Sequence, residues 1–378
     1  MTGDGTVAAP DARRLPDARR LPDVPRVPDV PRAPGAAAPL AWPGAEPLEA
    51  LLTTFGDADE ASAEVRSLAT LPALEARGPG ADRVGRTAAL LDGLPVELGP
   101  HGWRLADRPG VDLERAHAFA REDLDALAIA AAGWEGELVV EAVGPWSLAA
   151  SLWLARGDRV LGDAGAVSDL GASLAESLAR HVAGVRRQVP GARVTVLLAE
   201  PLVGQVVAGV VPTFSGHGRL RAVPRPRVLE VLEPVVAALR AASARVVVHV
   251  GTAHGGVAPV VLAGADGVGL DAGPWDERRW ETVAHAVERD VELWQGLPPA
   301  RVSSCAGPDV RGLADLVAEP WRRVGLPAAD LARVVLHESL GTVRVDPVPP
   351  PARSVDDVRA SGRNLRRAAL LLAERAAG

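Results

Sequence analysis

Short runs of β-branched and other apolar residues recur along the chain, separated by longer stretches with helical periodicity. The strand candidates are 39–42, 94–98, 138–146, 193–201, 244–250, 267–271, 293–300 and 332–339. Strands that alternate with helices are typical of a parallel sheet whose faces are covered by helices. Eight such candidates predict a closed barrel with the helices outside.

Helical patterns fill the stretches between the strand candidates, and Ser354 followed by Asp357 gives the last of them a capping box. The helix candidates are 112–131, 165–187, 227–242, 279–294, 309–324 and 355–376. We therefore expect a single (β/α)8 barrel of the TIM type, and a doubly wound open sheet is the alternative. No glycine-rich turn follows the first strand, and "GADGVG" at 264–269 leads into a strand, which argues against a dinucleotide-binding sheet.

A proline-rich segment precedes the barrel candidates. Residues 11–34 repeat a hexapeptide as "DARRLP", "DARRLP", "DVPRVP" and "DVPRAP". Proline at this frequency removes backbone donors and blocks helix. We predict a disordered tail over 1–37 and a barrel domain over 38–378. The tail is either dispensable or a docking ligand.

Composition excludes several classes of function. All 41 basic residues are arginine, and tyrosine is absent, so lysine Schiff bases, the phosphate-loop lysine and a tyrosine acid are excluded. Cys305 is the single cysteine, which fits a reducing compartment. The net charge of −7 carries no basic block, and no apolar run is long enough for a membrane span. We expect a cytoplasmic protein with a small-molecule substrate and neither nucleic acid nor membrane as partner; no sequence feature indicates its oligomeric state.

Polar residues cluster at the predicted carboxyl ends of the strands, where parallel barrels carry their chemistry. These residues are Glu141, Trp146, Glu200, His249, Asp271, His337 and Glu338. Each also has a structural interpretation: a hydrogen-bonded histidine, a carboxylate that accepts backbone donors in a turn, or a tryptophan that packs in the wall. Their regular placement predicts one shared mouth, with Glu141, Trp146 and Glu200 as candidate substrate contacts.

The order and spacing of several segments resemble the cobalamin-independent methionine synthase family, in its short single-barrel form. The similar segments are 74–98, 102–110, "VEAVGPWSLAASL" at 140–152, 199–220, "VVVHVG" at 246–251 and "LARVVLHESLG" at 331–341. The resemblance covers roughly residues 40–378. It implies a barrel that transfers a methyl group from a methyl-folate to the thiol of homocysteine, with zinc holding the thiol as a thiolate.

The family pattern also implies a ligand set for that zinc, and this chain departs from it. His249 and Asp271 match a histidine and a carboxylate of the set, whereas the two cysteine positions read Gly251 and Leu340. The aspartate that grips the amino group of homocysteine is replaced by Ala199, next to Glu200.

Two further positions of the family pattern differ. A Gly-Ser pair near the first strand reads Leu40-Ala41, and the general-acid histidine has no clear counterpart, the nearest position being Arg301.

Three hypotheses follow for the mouth of the barrel. The first is a methyltransferase of the methionine synthase type. The second is an inactive barrel that binds a folate or another small molecule, with Trp146 or Trp153 as the stacking aromatic, or that acts as a scaffold. The third is a rebuilt metal site made of His249, Asp271, His337 and Glu338, whose donors suit Zn²⁺, Mn²⁺ or Fe²⁺.

Overall fold

Eight parallel strands close into a barrel in a computed structural model that describes residues 32–60, 62–304, 307–341 and 353–378. Around the barrel the order is β1-β10-β9-β8-β7-β6-β5-β2. The barrel strands are β1 (Gly35–Ala37), β2 (Arg66–Leu71), β5 (Gly136–Val143), β6 (Ala192–Ala199), β7 (Arg245–His249), β8 (Gly267–Asp271), β9 (Glu292–Leu297) and β10 (Val334–Glu338). The predicted (β/α)8 barrel is confirmed.

Helices surround the barrel and fill the connections between its strands. They are α1 (Pro47–Asp59), α2 (Arg83–Ala88), α3 (Val111–Ala130), α4 (Pro145–Ser151), α5 (Ala164–Gln188), α6 (Val203–Ala208), α7 (Arg225–Ala241), α8 (Val257–Leu262), α9 (Glu277–Val287), α10 (Pro299–Val302), α11 (Val310–Arg323) and α12 (Val355–Ala377). The last of these begins with the predicted capping box of Ser354 and Asp357. No helix in the described ranges is long and apolar enough to cross a membrane.

The first two barrel strands are not where the sequence pattern placed them. The segment 94–98 belongs to a separate antiparallel hairpin of β3 (Val96–Gly99) and β4 (Gly102–Leu105). The true second strand is β2, which begins with Arg66 and Ser67 and therefore lacks the apolar run on which the prediction relied. The segment 39–42 follows β1 and makes only an isolated bridge, between Ala41 and Ala73.

Two other boundaries differ from the prediction. The helix predicted over 279–294 ends at Val287, and β9 begins at Glu292. β1 lies within the segment that we assigned to the tail, so the barrel begins before residue 38. The predicted disorder of residues 1–31 concerns a segment outside the described ranges.

The amino-terminal end of the barrel is closed by buried ion pairs. Arg66 contacts Glu137 at 2.7 Å and Glu292 at 2.8 Å, and Arg245 contacts Glu292 at 2.9 Å. These side chains are at most 11% exposed. Because each charge has an opposite charge within hydrogen-bond distance, the cost of burying it is offset.

An apolar layer fills the middle of the barrel above these ion pairs. Its members are Ala37, Leu40, Leu68, Val139, Leu197, Ala199, Val247, Trp294, Val335 and Leu340. Interior side chains of a parallel barrel stack in such layers. Most members of the layer lie between the ion pairs and the carboxyl ends of the strands, while Leu40, Ala199 and Leu340 lie at that end itself. A ligand of the barrel would therefore enter from the carboxyl end.

Candidate functional site

Three of the predicted site residues meet at the carboxyl end of the barrel, and strand register brings them together. Gly296 in β9 pairs with Asp271 in β8 on one side and with His337 in β10 on the other. His249 in β7 pairs with Gly269 in β8. A Cβ at Gly269 would collide with the ring of His249, and one at Gly296 would collide with the carboxylate of Asp271. The two glycines therefore provide the space in which the cluster of His249, Asp271 and His337 is assembled.

The two histidine rings in this cluster are buried and pack edge to face. Their centroids lie 4.9 Å apart at an interplanar angle of 81°, and both residues are 0% exposed. Burial lowers the pKa of each ring to about 3, and the charges of Arg83 and Arg279 add to this effect at His249. Both rings are therefore neutral at physiological pH, each with one N–H and one lone pair.

Hydrogen bonds set which nitrogen of each ring carries the proton. Nδ1 of His337 lies 2.6 Å from the carbonyl oxygen of Glu338; because a carbonyl only accepts, Nδ1 donates and Nε2 has the lone pair. Nδ1 of His249 accepts from the backbone N–H of Gly251 at 3.2 Å, so Nε2 carries the proton. That nitrogen lies 3.5 Å from Oδ1 of Asp271. The two rings thus present one donor and one acceptor.

Asp271 lies at the end of β8 with a largely buried carboxylate. Burial raises its pKa, and a hydrogen bond from Ser339 and the charges of Arg279 and Arg83 partly offset that rise. Oδ1 accepts no hydrogen bond from any described residue. The carboxylate is therefore a buried acceptor with unused capacity beside the two rings.

Two arginines that the sequence reading did not select flank the cluster. Arg83, in the first turn of α2, places Nε 3.2 Å from Oε1 of Glu141 and donates from Nη1 to the carbonyl of Leu340 at 2.6 Å. Arg279, in the first turn of α9, donates to the carbonyl of Asp271. Each lies in the first α-helix after a barrel strand, α2 after β2 and α9 after β8, and that position was the available signal. Their charges act on His249 and Asp271.

Three other predicted residues make structural contacts that hold their side chains away from the cluster at the carboxyl end of the barrel. The carboxylate of Glu200 accepts the N–H groups of Trp146 at 2.8 Å and Ser147 at 2.7 Å, so it caps α4. Trp146 is 1% exposed and donates from its indole to the carbonyl of Val228. Glu338 makes a two-pronged ion pair with Arg353 at 2.7 and 2.9 Å. Glu141 stays at the rim through its contact with Arg83.

The aromatic candidate for a folate groove is packed on one face. The guanidinium of Arg159 lies 4.3 Å above the ring of Trp153, and the indole N–H donates to the carbonyl of His101 at 2.9 Å. Phe214 meets the ring edge-on at 5.7 Å and is itself 59% exposed. The guanidinium of Arg159 occupies one face of Trp153, so that face is closed to a pterin ring. The methyl-folate groove stays a prediction.

The residues present do not fit the zinc ion that the family resemblance implies. Within the described ranges, no three His, Cys, Asp or Glu side chains are arranged to hold a metal ion. Gly251 has a left-handed backbone with φ of +66°, a conformation that a cysteine adopts only with strain. Leu340 packs into the apolar layer. His249 presents an N–H rather than a lone pair toward Asp271, whereas zinc binds the lone pair.

The rebuilt metal site also loses a donor. Glu338, its fourth proposed member, faces away from the cluster into the ion pair with Arg353, which also donates to Ser361 in α12. Two imidazoles and one carboxylate are left, with one imidazole in the tautomer that cannot bind a metal through Nε2. Cys305 lies outside the described residues.

Comparison with known proteins adds the fold but not an activity. No family model and no curated protein matches the sequence. The chain is similar to a solved B12-independent methionine synthase from Shewanella sp. W3-18-1 in complex with selenomethionine, with a TM-score of 0.55 and 11% identity over 90% of this chain and 96% of that one. A D-psicose 3-epimerase with D-tagatose from Clostridium cellulolyticum H10 also matches, with a TM-score of 0.38 and 12% identity over 66% and 83% of the two chains. At 11% identity the likeness to the synthase shows a shared barrel fold and no more.

Proposed function

We propose that the protein binds a small zwitterion of the amino-acid class at the carboxyl end of its barrel, and that this binding does not use zinc. The observation that carries the proposal is a set of five buried polar atoms that meet no described residue in a well-formed hydrogen bond: Glu141 Oε1, His249 Nε2, Asp271 Oδ1, Arg279 Nε and His337 Nε2. Glu141 Oε1 keeps an ion-pair contact with Arg83 at 3.2 Å, and His249 Nε2 lies 3.5 Å from Asp271 Oδ1. A buried polar atom left without a hydrogen bond costs about 1–3 kcal/mol, so the concentration of such atoms at one end of the barrel favours a ligand that completes their hydrogen bonding.

The set contains both kinds of hydrogen-bonding atom. Glu141 Oε1, Asp271 Oδ1 and His337 Nε2 are acceptors, while His249 Nε2 and Arg279 Nε are donors. An ammonium group offers three donors and a carboxylate offers only acceptors, so an amino acid supplies both complements in one small molecule. A purely anionic or purely cationic ligand would leave one half of the set unpaired.

The charges around the cluster support the same class of ligand. Two cations, Arg83 and Arg279, and two carboxylates, Glu141 and Asp271, lie near it. A balanced mixture of charges favours a dipolar ligand over one of a single sign. Selenomethionine, the ligand of the structurally similar synthase, belongs to this class.

Zinc-dependent transfer of a methyl group to homocysteine is not part of the proposal. That reaction needs a metal to turn a thiol into a thiolate at neutral pH, and both cysteine positions here carry residues that supply no donor. Methyl-folate is kept as a ligand to be tested. In the proposal, the amino acid is bound by His249, Asp271 and His337 together with the flanking residues Arg83 and Arg279.

A panel of ligands in a thermal unfolding assay tests the proposal. We expect L-methionine or L-homocysteine at about 100 times its dissociation constant to raise the free energy of unfolding by about 2.7 kcal/mol, equally with and without EDTA. Succinate and putrescine serve as anion-only and cation-only controls, and 5-methyltetrahydrofolate tests the retained pterin groove. Stabilisation that appears only with zinc, or by neither amino acid, would contradict the proposal.

A further inference from the structure

In the methionine synthase family that the sequence resembles, an aspartate is expected to hold the amino group of the ligand, and this chain has no carboxylate at that position. Ala199 occupies that position, is 0% exposed and belongs to the apolar layer of the barrel. Its neighbour Glu200 uses both carboxylate oxygens on the backbone of α4. A ligand ammonium therefore needs another acceptor.

We infer that the ammonium of the ligand is held by Nε2 of His337 and Oδ1 of Asp271, on either side of Gly296. This inference rests on the proposed function and assigns the atoms that carry it. Both atoms are buried, and neither accepts a hydrogen bond from a described residue. The pairing of both residues with Gly296 places them on β8 and β10, the two strands that flank β9, with no side chain at residue 296 between them.

The backbone fixes His337 as an acceptor. The N–H at Nδ1 donates to the carbonyl of Glu338 at 2.6 Å, and the backbone of Trp294 also interacts with the ring; with the proton on Nδ1, the neutral ring has its lone pair on Nε2. The edge-to-face contact with His249 and a tilted contact with Trp294, whose centroid lies 6.1 Å away, hold the ring in place. A fixed neutral acceptor next to a carboxylate suits an ammonium, which donates to both and is attracted by the negative charge.

A donor beside the cluster then serves the other end of the ligand. Nε of Arg279, whose guanidinium contacts the backbone at Asp271, is without a hydrogen-bond partner among the described residues, whereas Nε2–H of His249 lies 3.5 Å from Oδ1 of Asp271. The ligand carboxylate is thus expected on the side of α9, and the ammonium between β8 and β10 across Gly296. His337 and Arg279 therefore recognise opposite ends of the same molecule.

Titration calorimetry in EDTA with three related compounds tests the inference. The compounds are L-methionine, 4-(methylthio)butanoic acid, which lacks the ammonium, and L-methionine methyl ester, which lacks the carboxylate. A hydrogen bond to a charged group contributes about 1.5–3 kcal/mol, or roughly 10- to 100-fold in affinity. We expect the wild-type protein to prefer L-methionine over the acid by about that factor.

The variants are His337→Leu, His337→Gln and Asp271→Asn, with Glu338→Gln as the matched control on the opposite face of the same strand. His337→Leu should lose the preference for L-methionine while binding the acid as before. His337→Gln places an amide oxygen near the former Nε2 and should restore part of the preference. Asp271→Asn, which keeps the shape and removes the charge, should reduce it.

The outcomes separate this inference from the proposed function. If the wild-type protein binds L-methionine better than the acid and His337→Leu and Asp271→Asn keep that preference, the ammonium is held elsewhere and the inference is overturned. If Glu338→Gln also loses the preference for L-methionine, distortion of β10 explains the loss in the His337 variants, and the inference is likewise overturned. Failure of the folded wild-type protein to bind L-methionine would remove the proposed function itself. Should His337→Leu fail to fold, His337→Gln and Asp271→Asn decide.

Discussion

The protonation of two buried histidines determines what the mouth of this barrel can bind. His337 directs a lone pair into the cluster because its Nδ1–H donates to a carbonyl, and His249 directs an N–H because its Nδ1 accepts from Gly251. A sequence shows that a histidine ends a strand but not which nitrogen holds the proton. The difference between a metal ligand and a hydrogen-bond donor at His249 depends on one backbone N–H.

Returning the two cysteines tests whether the absence of a zinc site is due to the side chains alone. We expect Gly251→Cys combined with Leu340→Cys to bind zinc well below one ion per chain, because residue 251 has a positive φ and His249 keeps the wrong tautomer. Elemental analysis of the purified variant, with the wild-type protein as control, measures this. One tightly held zinc ion per chain, lost on chelation together with thermal stability, would contradict the expectation.

Glu200 carries a second prediction, because it is a buried carboxylate that makes no ion pair with any residue in the described ranges. Burial raises its pKa to about 7, against the effect of hydrogen bonds from Trp146 and Ser147. The folded state therefore holds this proton more tightly than the unfolded state, whose pKa is near 4.5. The stabilising contribution of Glu200 is largest below pH 4.5 and is lost as the pH rises towards 7.

Glu200→Gln should remove that dependence. Urea unfolding at several pH values should show that the stability of the wild-type protein relative to Glu200→Gln decreases between pH 5 and pH 7. A constant difference across this range would mean that Glu200 does not titrate there. Glu176→Gln, in an exposed pair with Arg180, is the control.

At the scale of the elements, the carboxyl ends of the strands carry the cluster and the amino ends carry the ion pairs. The sequence pattern predicted the six later barrel strands but misplaced the first two. Arg66 interrupts the apolar pattern of β2 because it points into the barrel toward Glu137 and Glu292. A buried charge whose partners lie 71 and 226 residues away in the chain gives no local signal.

The ion pairs lead to a prediction about stability. Glu292→Gln leaves Arg66 and Arg245 without one of their partners and should destabilise the fold by about 3–5 kcal/mol, as breaking a buried pair does. Denaturant unfolding at pH 7 measures this against Arg180→Gln in an exposed pair, for which a loss below about 1 kcal/mol is expected. Equal effects of the two substitutions would show that the buried network contributes no more than a surface pair.

The candidate site was only partly predictable at the same scale. The prediction that polar residues at the strand ends lie together holds for His249, Asp271 and His337. The alternation of side chains along a strand explains why Glu338, one residue after His337, faces α12 instead. Arg83 and Arg279 come from helices, whose rotation relative to the barrel is set by packing and not by a short motif.

At the scale of the whole molecule, buried histidines make the fold sensitive to acid. The pKa of His181 is lowered to about 4, and those of His249 and His337 to about 3, mainly by burial. The unfolded chain takes up these protons near pH 6.5 while the folded chain does not. Stability conferred by the neutral rings is therefore present above pH 6.5 and decreases as the pH falls towards the folded-state values.

We expect this loss to exceed the opposite contribution of the carboxylates whose pKa burial raises, namely Glu200, Asp271 and Glu75, so the free energy of unfolding should decrease from pH 7 to pH 4.5. His337→Gln should reduce the slope, because one of the three protons is then no longer taken up on unfolding. Denaturant unfolding across this range measures both effects. A stability that is constant or increases on acidification would show that these rings are not held neutral.

Zinc-independent binding is measured by a calorimetric titration of the wild-type protein with L-methionine in two conditions, one with EDTA and one with one equivalent of zinc. We expect saturable binding of one molecule per chain with the same affinity in both conditions, because the cluster of His249, Asp271 and His337 pairs with the ligand itself. Binding that requires zinc, or no binding by the folded protein in either condition, would contradict this expectation.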